Sequence, residues 1–107
     1  WEGGIREPAI AWWPGRLKPG VNMEVATNAD VFPTLLDLAG VPIPPGLVLD
    51  GKSMRPLLFE GKPIHEDEII GFWRDDMLYA VRWNQYKAHF FTRSGTNSFR
   101  WCSLILY

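Results

Sequence analysis

Cysteine is almost missing from this chain. Cys102 is the only one in 107 residues. A single thiol excludes an internal disulfide framework and a local cysteine-built zinc site, and leaves open a bridge to a cysteine elsewhere. Long apolar runs are missing too; nothing approaches the roughly 20 residues that cross a bilayer. There is no block of one charge sign. The net charge is −1 and the basic residues are scattered, which argues against nucleic acid or an anionic membrane as a partner. No initiating Met precedes Trp1, so the lack of a targeting segment says little.

Apolar residues make up 47% and charged residues 21%, a globular balance with ample surface to bury. Six Trp is high for this length. Such side chains fill cores or, where their polar tips meet a ligand, line pockets.

The N-terminal segment Glu2-Gly-Gly-Ile-Arg-Glu-Pro8 runs straight into Ala-Ile-Ala-Trp-Trp, residues 9–13. A glycine pair before an apolar run predicts a loop feeding a short strand buried on both faces, as in a parallel α/β sheet. Pro14-Gly15 ends that strand. Residues 28–40 carry the clearest helical signal. Asn28 or Asp30 can cap the start, and Pro33 fits only near the first turn. Val31, Phe32, Leu35, Leu36 and Leu38 form an apolar stripe, with Thr34 and Asp37 on the other side. Gly40 and Pro42 stop the helix. Residues 41–52 predict a constrained loop ending in the Asp50-Gly51 turn. Ser53 is placed to cap a short piece over residues 54–59 that ends at Gly61. Residues 64–68 are polar and expected to be exposed, His65 included.

The last third changes character. Residues 69–74, 78–83 and 86–92 are aromatic and β-branched, separated by Asp75-Asp76 and Asn84-Gln85, which predicts an antiparallel meander. Tyr86 and Ala88 share one face, Lys87 and His89 the other. Residues 93–101 are expected to be a loop. One strand, one helix and a meander close a core poorly, so the chain is expected to be the back part of a larger domain and to aggregate or stay partly molten alone.

The ordered segments Trp1-Glu-Gly-Gly-Ile-Arg-Glu-Pro-Ala-Ile-Ala-Trp-Trp-Pro-Gly15, Asp30-Val-Phe-Pro-Thr-Leu-Leu-Asp-Leu-Ala-Gly40, Leu49-Asp-Gly-Lys-Ser-Met-Arg-Pro-Leu-Leu58 and Tyr86-Lys-Ala-His-Phe-Phe-Thr92 resemble the sulfatase family, in its arylsulfatase and N-acetylgalactosamine-6-sulfatase branch. Asn97-Ser-Phe-Arg100 leans towards the latter. The resemblance covers residues 1–101 and implies an α/β fold of the alkaline-phosphatase type that ends in a small antiparallel sheet. On that reading residues 1–60 close the large α/β domain, 61–101 belong to the small-sheet subdomain, and 102–107 form a divergent tail. It also implies hydrolysis of sulfate esters of sugars or aryl sulfates by a formylglycine made in a Cys-x-Pro-Ser-Arg motif, beside a calcium held by oxygen ligands. Neither lies in this chain: the motif is absent, and the metal segments and sulfate-binding Lys belong upstream. A lysosomal or secreted, glycosylated parent, with room for a homodimer, goes with the resemblance.

The candidate site residues are accordingly indirect, with no catalytic or metal residue assigned. Glu2 and Arg6 lie nearest the expected active site, against the plainer reading of a loop-anchoring ion pair. Asn97 and Trp101 lie on the substrate side. His89 is expected to be structural because no partner constellation accompanies it. Trp12, Trp13, Trp73 and Trp83 are expected in the core, and Cys102 is expected to be half of a disulfide. Two other functions compete: a non-catalytic module whose aromatic meander binds a glycan or protein, and a phosphate-ester hydrolase of the same superfamily.

Overall fold

Thr27 stands three residues before Asp30, and that spacing starts the first ordered element. A computed structural model describes residues 3–94, 98–101 and 105–106, with backbone alone from residue 92 onward. The chain forms two compact units, Trp1–Ile64 and His65–Tyr107.

In the first unit a 3-10 turn over Asn28–Asp30 runs into helix α1, Val31–Ala39. The Asp30 Oδ2 accepts the Thr27 backbone N–H at 2.6 Å and the Thr27 hydroxyl at 2.9 Å. This is the acidic arm of a capping box, with Thr27 outside the turn and Asp30 inside it. Pro33 falls in the first helical turn, where no intrahelical N–H is required. Gly40, at φ 67°, ends α1 while the Val41 N–H returns to the Leu36 carbonyl at 2.9 Å, a left-handed C-cap. Helix α2, Arg55–Glu60, closes in the same way at Gly61, φ 69°. Its N-cap is Met54 rather than the expected Ser53, which stands one residue earlier with its Oγ accepting the Arg55 N–H at 3.2 Å.

Apart from Pro33, the buried residues at α1 are polar, and the expected apolar stripe splits, with Leu36 and Leu38 half-buried. Asp30 is fully buried and Thr34 nearly so, while Val31, Phe32 and Leu35 are exposed. Hydrogen bonds decide the orientation. The Thr34 hydroxyl donates to the Asp30 carbonyl at 2.6 Å and accepts the Met54 N–H at 2.7 Å. Asp30 Oδ1 accepts the Lys52 N–H at 2.8 Å. The Ser53 hydroxyl donates to Asp37 Oδ2 at 2.5 Å. Turning the apolar stripe inward would strand these donors, at about 1–3 kcal/mol each. Gly51 permits the approach: a Cβ there would lie 2.1 Å from the Ala29 carbonyl oxygen.

Residues 9–13 form no strand, and the expectation of a buried parallel strand is corrected. Ile10 is 94% and Trp12 83% exposed. A parallel strand needs neighbours for its N–H and C=O groups, and every strand among the described residues lies in the second unit. Trp13 is also partly exposed rather than in the core. Its ring meets Phe59 edge-on at 6.3 Å, and the Arg16 guanidinium sits 5.3 Å from its centroid.

The second unit carries β1 (Ile69–Arg74), β2 (Met77–Trp83), β3 (Tyr86–His89), β4 (Phe91–Ser94), β5 (Ser98–Trp101) and β6 (Ile105–Leu106). One antiparallel sheet has the order β1-β2-β3-β6, and β4 pairs with β5 separately. The meander is thus present. Asp75 and Asn84 have φ of 55° and 51°, the left-handed first residue of primed hairpin turns. The third strand stops before residue 92, and part of the expected loop over 93–101 is a hairpin. A bulge interrupts the β1–β2 pairing. Phe72 pairs with Ala80 and Trp73 with Leu78, so Tyr79 falls out of register and its carbonyl accepts the Phe90 N–H at 2.8 Å.

The knot around Asp30 predicts that Asp30→Asn and Gly51→Ala each loosen the 51–54 loop. Losing about 1–3 kcal/mol should speed exchange of the Lys52 and Met54 amide protons roughly ten- to hundredfold. Unchanged protection in both variants would show that another interaction holds the loop.

Candidate functional site

Alternation sorts the second unit's sheet into two unlike faces. One face carries the rows Ile69, Trp83, Tyr86 and Gly71, Val81, Ala88, with Trp73 and Leu78 beyond. The other carries Phe72, Ala80, His89 and Ile70, Arg82, Lys87. Ala80, Lys87 and His89 are buried; the Lys87 ammonium lies 4.1 Å from the Phe72 ring centroid. A buried cation over an aromatic face gains roughly 2 kcal/mol, which offsets part of its desolvation. His89 therefore sits where a structural histidine was expected, inside a strand.

The aromatic face is open. Trp73 is 66% and Trp83 46% exposed, so the expectation that both are core is corrected. A Cβ on Gly71 would lie 2.7 Å from Trp73 Nε1 and 3.2 Å from Leu78 Cδ1. The glycine is what lets the indole fold back along its strand and lie over the sheet. Trp83 and Tyr86 stack across the β2–β3 pair, centroids 6.0 Å apart and planes 21° apart.

Several site candidates fall where no geometry can be read. Glu2, Asn97 and Cys102 lie outside the described residues. Trp101 is the last residue of β5, its backbone opposite Phe91, and its side chain lies outside the description. Arg6 is exposed in the N-terminal segment beside a turn in which Gly4 takes φ 81°, a conformation a side chain would strain. Arg6 belongs to the first unit and Trp101 to the second. His65 departs from its expected solvation: its side chain is 7% exposed and Nδ1 meets Glu68 Oε2 at 2.7 Å. Asp67 and Asn84 join the same loop to the β2–β3 turn, at 3.3 Å in both directions.

What sequence reasoning missed is the buried polar pair Asp30 and Thr34, with half-exposed Asp37 beside it. The Thr27-x-x-Asp30 capping spacing was the available signal. Asp37 is held below the ordinary carboxylate range, first by the Ser53 hydroxyl and then, against some desolvation, by Arg55 at 3.3 Å. Among the described residues no three His, Cys, Asp or Glu side chains gather where they could hold a metal ion. The Asp30 oxygens are taken up by the Thr27 and Lys52 donors, and Asp75 and Asp76 occupy a hairpin turn. These carboxylates do not fit a calcium site. What the chain presents is a pinned helix, an open aromatic sheet face and apolar surface around both.

The sequence matches the model of the N-sulphoglucosamine sulphohydrolase C-terminal family over residues 1–99. The chain therefore belongs to the sulfatase family, as its C-terminal region. Curated relatives agree. It is 44% identical to human arylsulfatase A over 92% of its own length and 20% of that protein's. Dog N-acetylgalactosamine-6-sulfatase is 47% identical, covering 85% of the chain and 17% of that protein. An arylsulfatase of Hemicentrotus pulcherrimus is 40% identical, covering 87% and 17%. The chain spans about a fifth of the length of these relatives.

The depressed Asp37 carboxyl carries a pH prediction. A carboxylate whose folded pKa lies below its unfolded value contributes stability above the unfolded value, near pH 4, and loses it as pH falls through the folded one. Met54 amide exchange should hold steady down to about pH 4 and rise below it, beyond the intrinsic chemical trend. In Asp37→Asn that extra rise should vanish. An identical acid response in both proteins would assign the acid sensitivity to another group.

Proposed function

We propose that this chain is the C-terminal portion of a sulfatase that hydrolyses sulfate esters of sugars or aryl sulfates. The observation that carries the reading is the family match over residues 1–99, joined to 44–47% identity with two sulfatases. In this reading the nucleophile is a formylglycine made upstream, and a calcium upstream stabilises charge developing on the sulfate oxygens. A hard cation of that kind takes oxygen ligands. The chain itself supplies the scaffold behind that chemistry. Arg6 and Glu2 stand nearest the reacting centre, and Asn97 and Trp101 stand towards the substrate. A lysosomal or secreted glycoprotein that forms a homodimer fits the same reading. No helix among the described residues is long and apolar enough to cross a membrane.

A second reading has one observation behind it. Trp73, Trp83 and Tyr86 are exposed on one face of the sheet, and exposed aromatic rings can stack on sugar rings. A glycan-binding module would give heat on titration with sulfated oligosaccharides, and the heat would fall with Trp73→Ala. No heat would remove this reading.

The enzyme reading predicts that the chain alone, given a chromogenic aryl sulfate and calcium, shows no turnover. A longer polypeptide that carries it behind a Cys-x-Pro-Ser-Arg motif should turn the same substrate over, and replacing that Cys by Ala should abolish the activity. Turnover by the isolated chain would overturn the placement of the nucleophile outside it.

A further inference from the structure

Strand β1 is an outer strand. Among the described residues, in a sheet ordered β1-β2-β3-β6, its one neighbour is β2. Its other side offers backbone N–H and C=O groups to a further strand. Sheet edges are ordinarily guarded by proline, by charge or by a bulge in the edge strand itself. Residues 69–73 hold no proline and no charge, and Ile69 and Trp73 are 72% and 66% exposed. The extra residue of the bulge, Tyr79, belongs to β2, so alternation along β1 is unbroken.

The residues along this edge point to its partner. Glu68-Ile-Ile-Gly-Phe-Trp-Arg74 has the same pattern from both ends: a charge, two apolar residues, Gly71, two apolar residues, and a charge of opposite sign. In an antiparallel pair, directly opposite residues lie on the same face. Two copies of β1 centred on Gly71 therefore set Ile70 against Phe72 on one face and Ile69 against Trp73 on the other. Glu68 falls opposite Arg74 at both ends. Arg74 is exposed, and the Glu68 side chain keeps 38% exposure beside His65. Moving the centre to Phe72 sets Arg74 against Ile70 and loses both charge pairs. At the two-fold axis Gly71 meets its own copy, and neither chain brings a side chain to that point. We propose that β1 pairs with β1 of a second copy of this chain, antiparallel and centred on Gly71, joining two four-stranded sheets edge to edge. The contact is isologous, so it closes at a dimer. A strand of unrelated sequence would need none of this symmetry. The inference goes beyond the enzyme reading and does not depend on it.

The test measures the mass of the full chain by sedimentation velocity, with protection of the Lys87 amide in β3 as the reading of an intact sheet. The wild-type chain is expected to be a dimer. Arg74→Glu sets carboxylates opposite one another at both ends, and Glu68→Arg sets guanidiniums there. Each should weaken the dimer about tenfold, since like charges directly opposite oppose pairing. An equal mixture of the two variants should dimerise like the wild type, because every mixed pair again has opposite signs. Glu68→Arg also removes the partner of His65, so a second measurement leaves both charges in place. In a Cys102→Ser background, a mixture of Ile69→Cys and Trp73→Cys chains should form a disulfide far faster than either chain alone, as directly opposite residues stand within reach of one. A monomeric wild-type chain overturns the proposal. So does self-association that neither charge variant changes, a mixture that fails to restore the dimer while Lys87 stays protected, or cross-linking no faster in the mixed chains than in each alone.

Discussion

The buried carboxylate of Asp30 is the constraint on which the first unit depends. It accepts hydrogen bonds from both sides: Thr27 before the helix and Lys52 on a loop 22 residues later. A carboxylate taken fully out of water must be matched by donors, or its desolvation dominates. Once Asp30 is matched in this way, the rotation of α1 about its axis is set. Thr34 lies one turn on and inherits the same orientation, receiving the Met54 N–H. Asp37 lies beyond Thr34 on that side and receives Ser53. Asp30 and Thr34 become the inner face, with half-buried Asp37 at its edge. Val31, Phe32 and Leu35 are left outside, while Leu36 and Leu38 are half-buried.

The second unit obeys the same logic on a sheet. Lys87 and His89 alternate onto the buried face, and Trp83 and Tyr86 onto the open one. Alternation leaves no compromise, since a one-residue slip exchanges the faces completely. Among the described residues the buried core hydrophobics are few, Leu57 and Ala80. Hydrogen bonds, turns and a cation over a ring hold local order in each unit. Large-scale apolar burial, the dominant favourable term in most folds, is not what holds either unit together. Surface of this size left open is what a region of a larger protein shows when its neighbours are not present.

That division explains what the sequence disclosed. Local signals were legible: the helix over residues 28–40 with its Gly40 stop, the short piece ending at Gly61, and the hairpin turns at Asp75 and Asn84. Each is written in residues a few positions apart. Burial was not. The apolar run 9–13 has the composition of a central strand but no ladder partners among the described residues. The Trp residues were assigned to a core because large apolar side chains are usually buried, an average that fails when the covering surface is elsewhere. The inward face of α1 was misjudged for a related reason: periodicity finds the apolar side of a helix without saying that a polar side has better partners. His65 was missed because its pairing with Glu68 depends on a loop conformation that composition does not encode. Family membership needed none of this, since it rests on the order of several motifs rather than on burial. The candidate site was the least legible part; of Glu2, Arg6, Asn97 and Trp101, only Arg6 has a described side chain.

The knot also bears on where such a chain can work. Its outer carboxylate, Asp37, is held below the ordinary carboxylate range by a hydroxyl and a guanidinium. The clamp therefore stays ionised through mild acid and opens only under stronger acid. A helix aimed by carboxylates whose donors came from exposed histidines or amines of moderate pKa would respond to pH near neutrality instead. Here the donors named are backbone amides, hydroxyls and an arginine, none of which titrates between neutrality and mild acid. The contacts that orient α1 therefore include no donor that loses its proton between neutrality and mild acid.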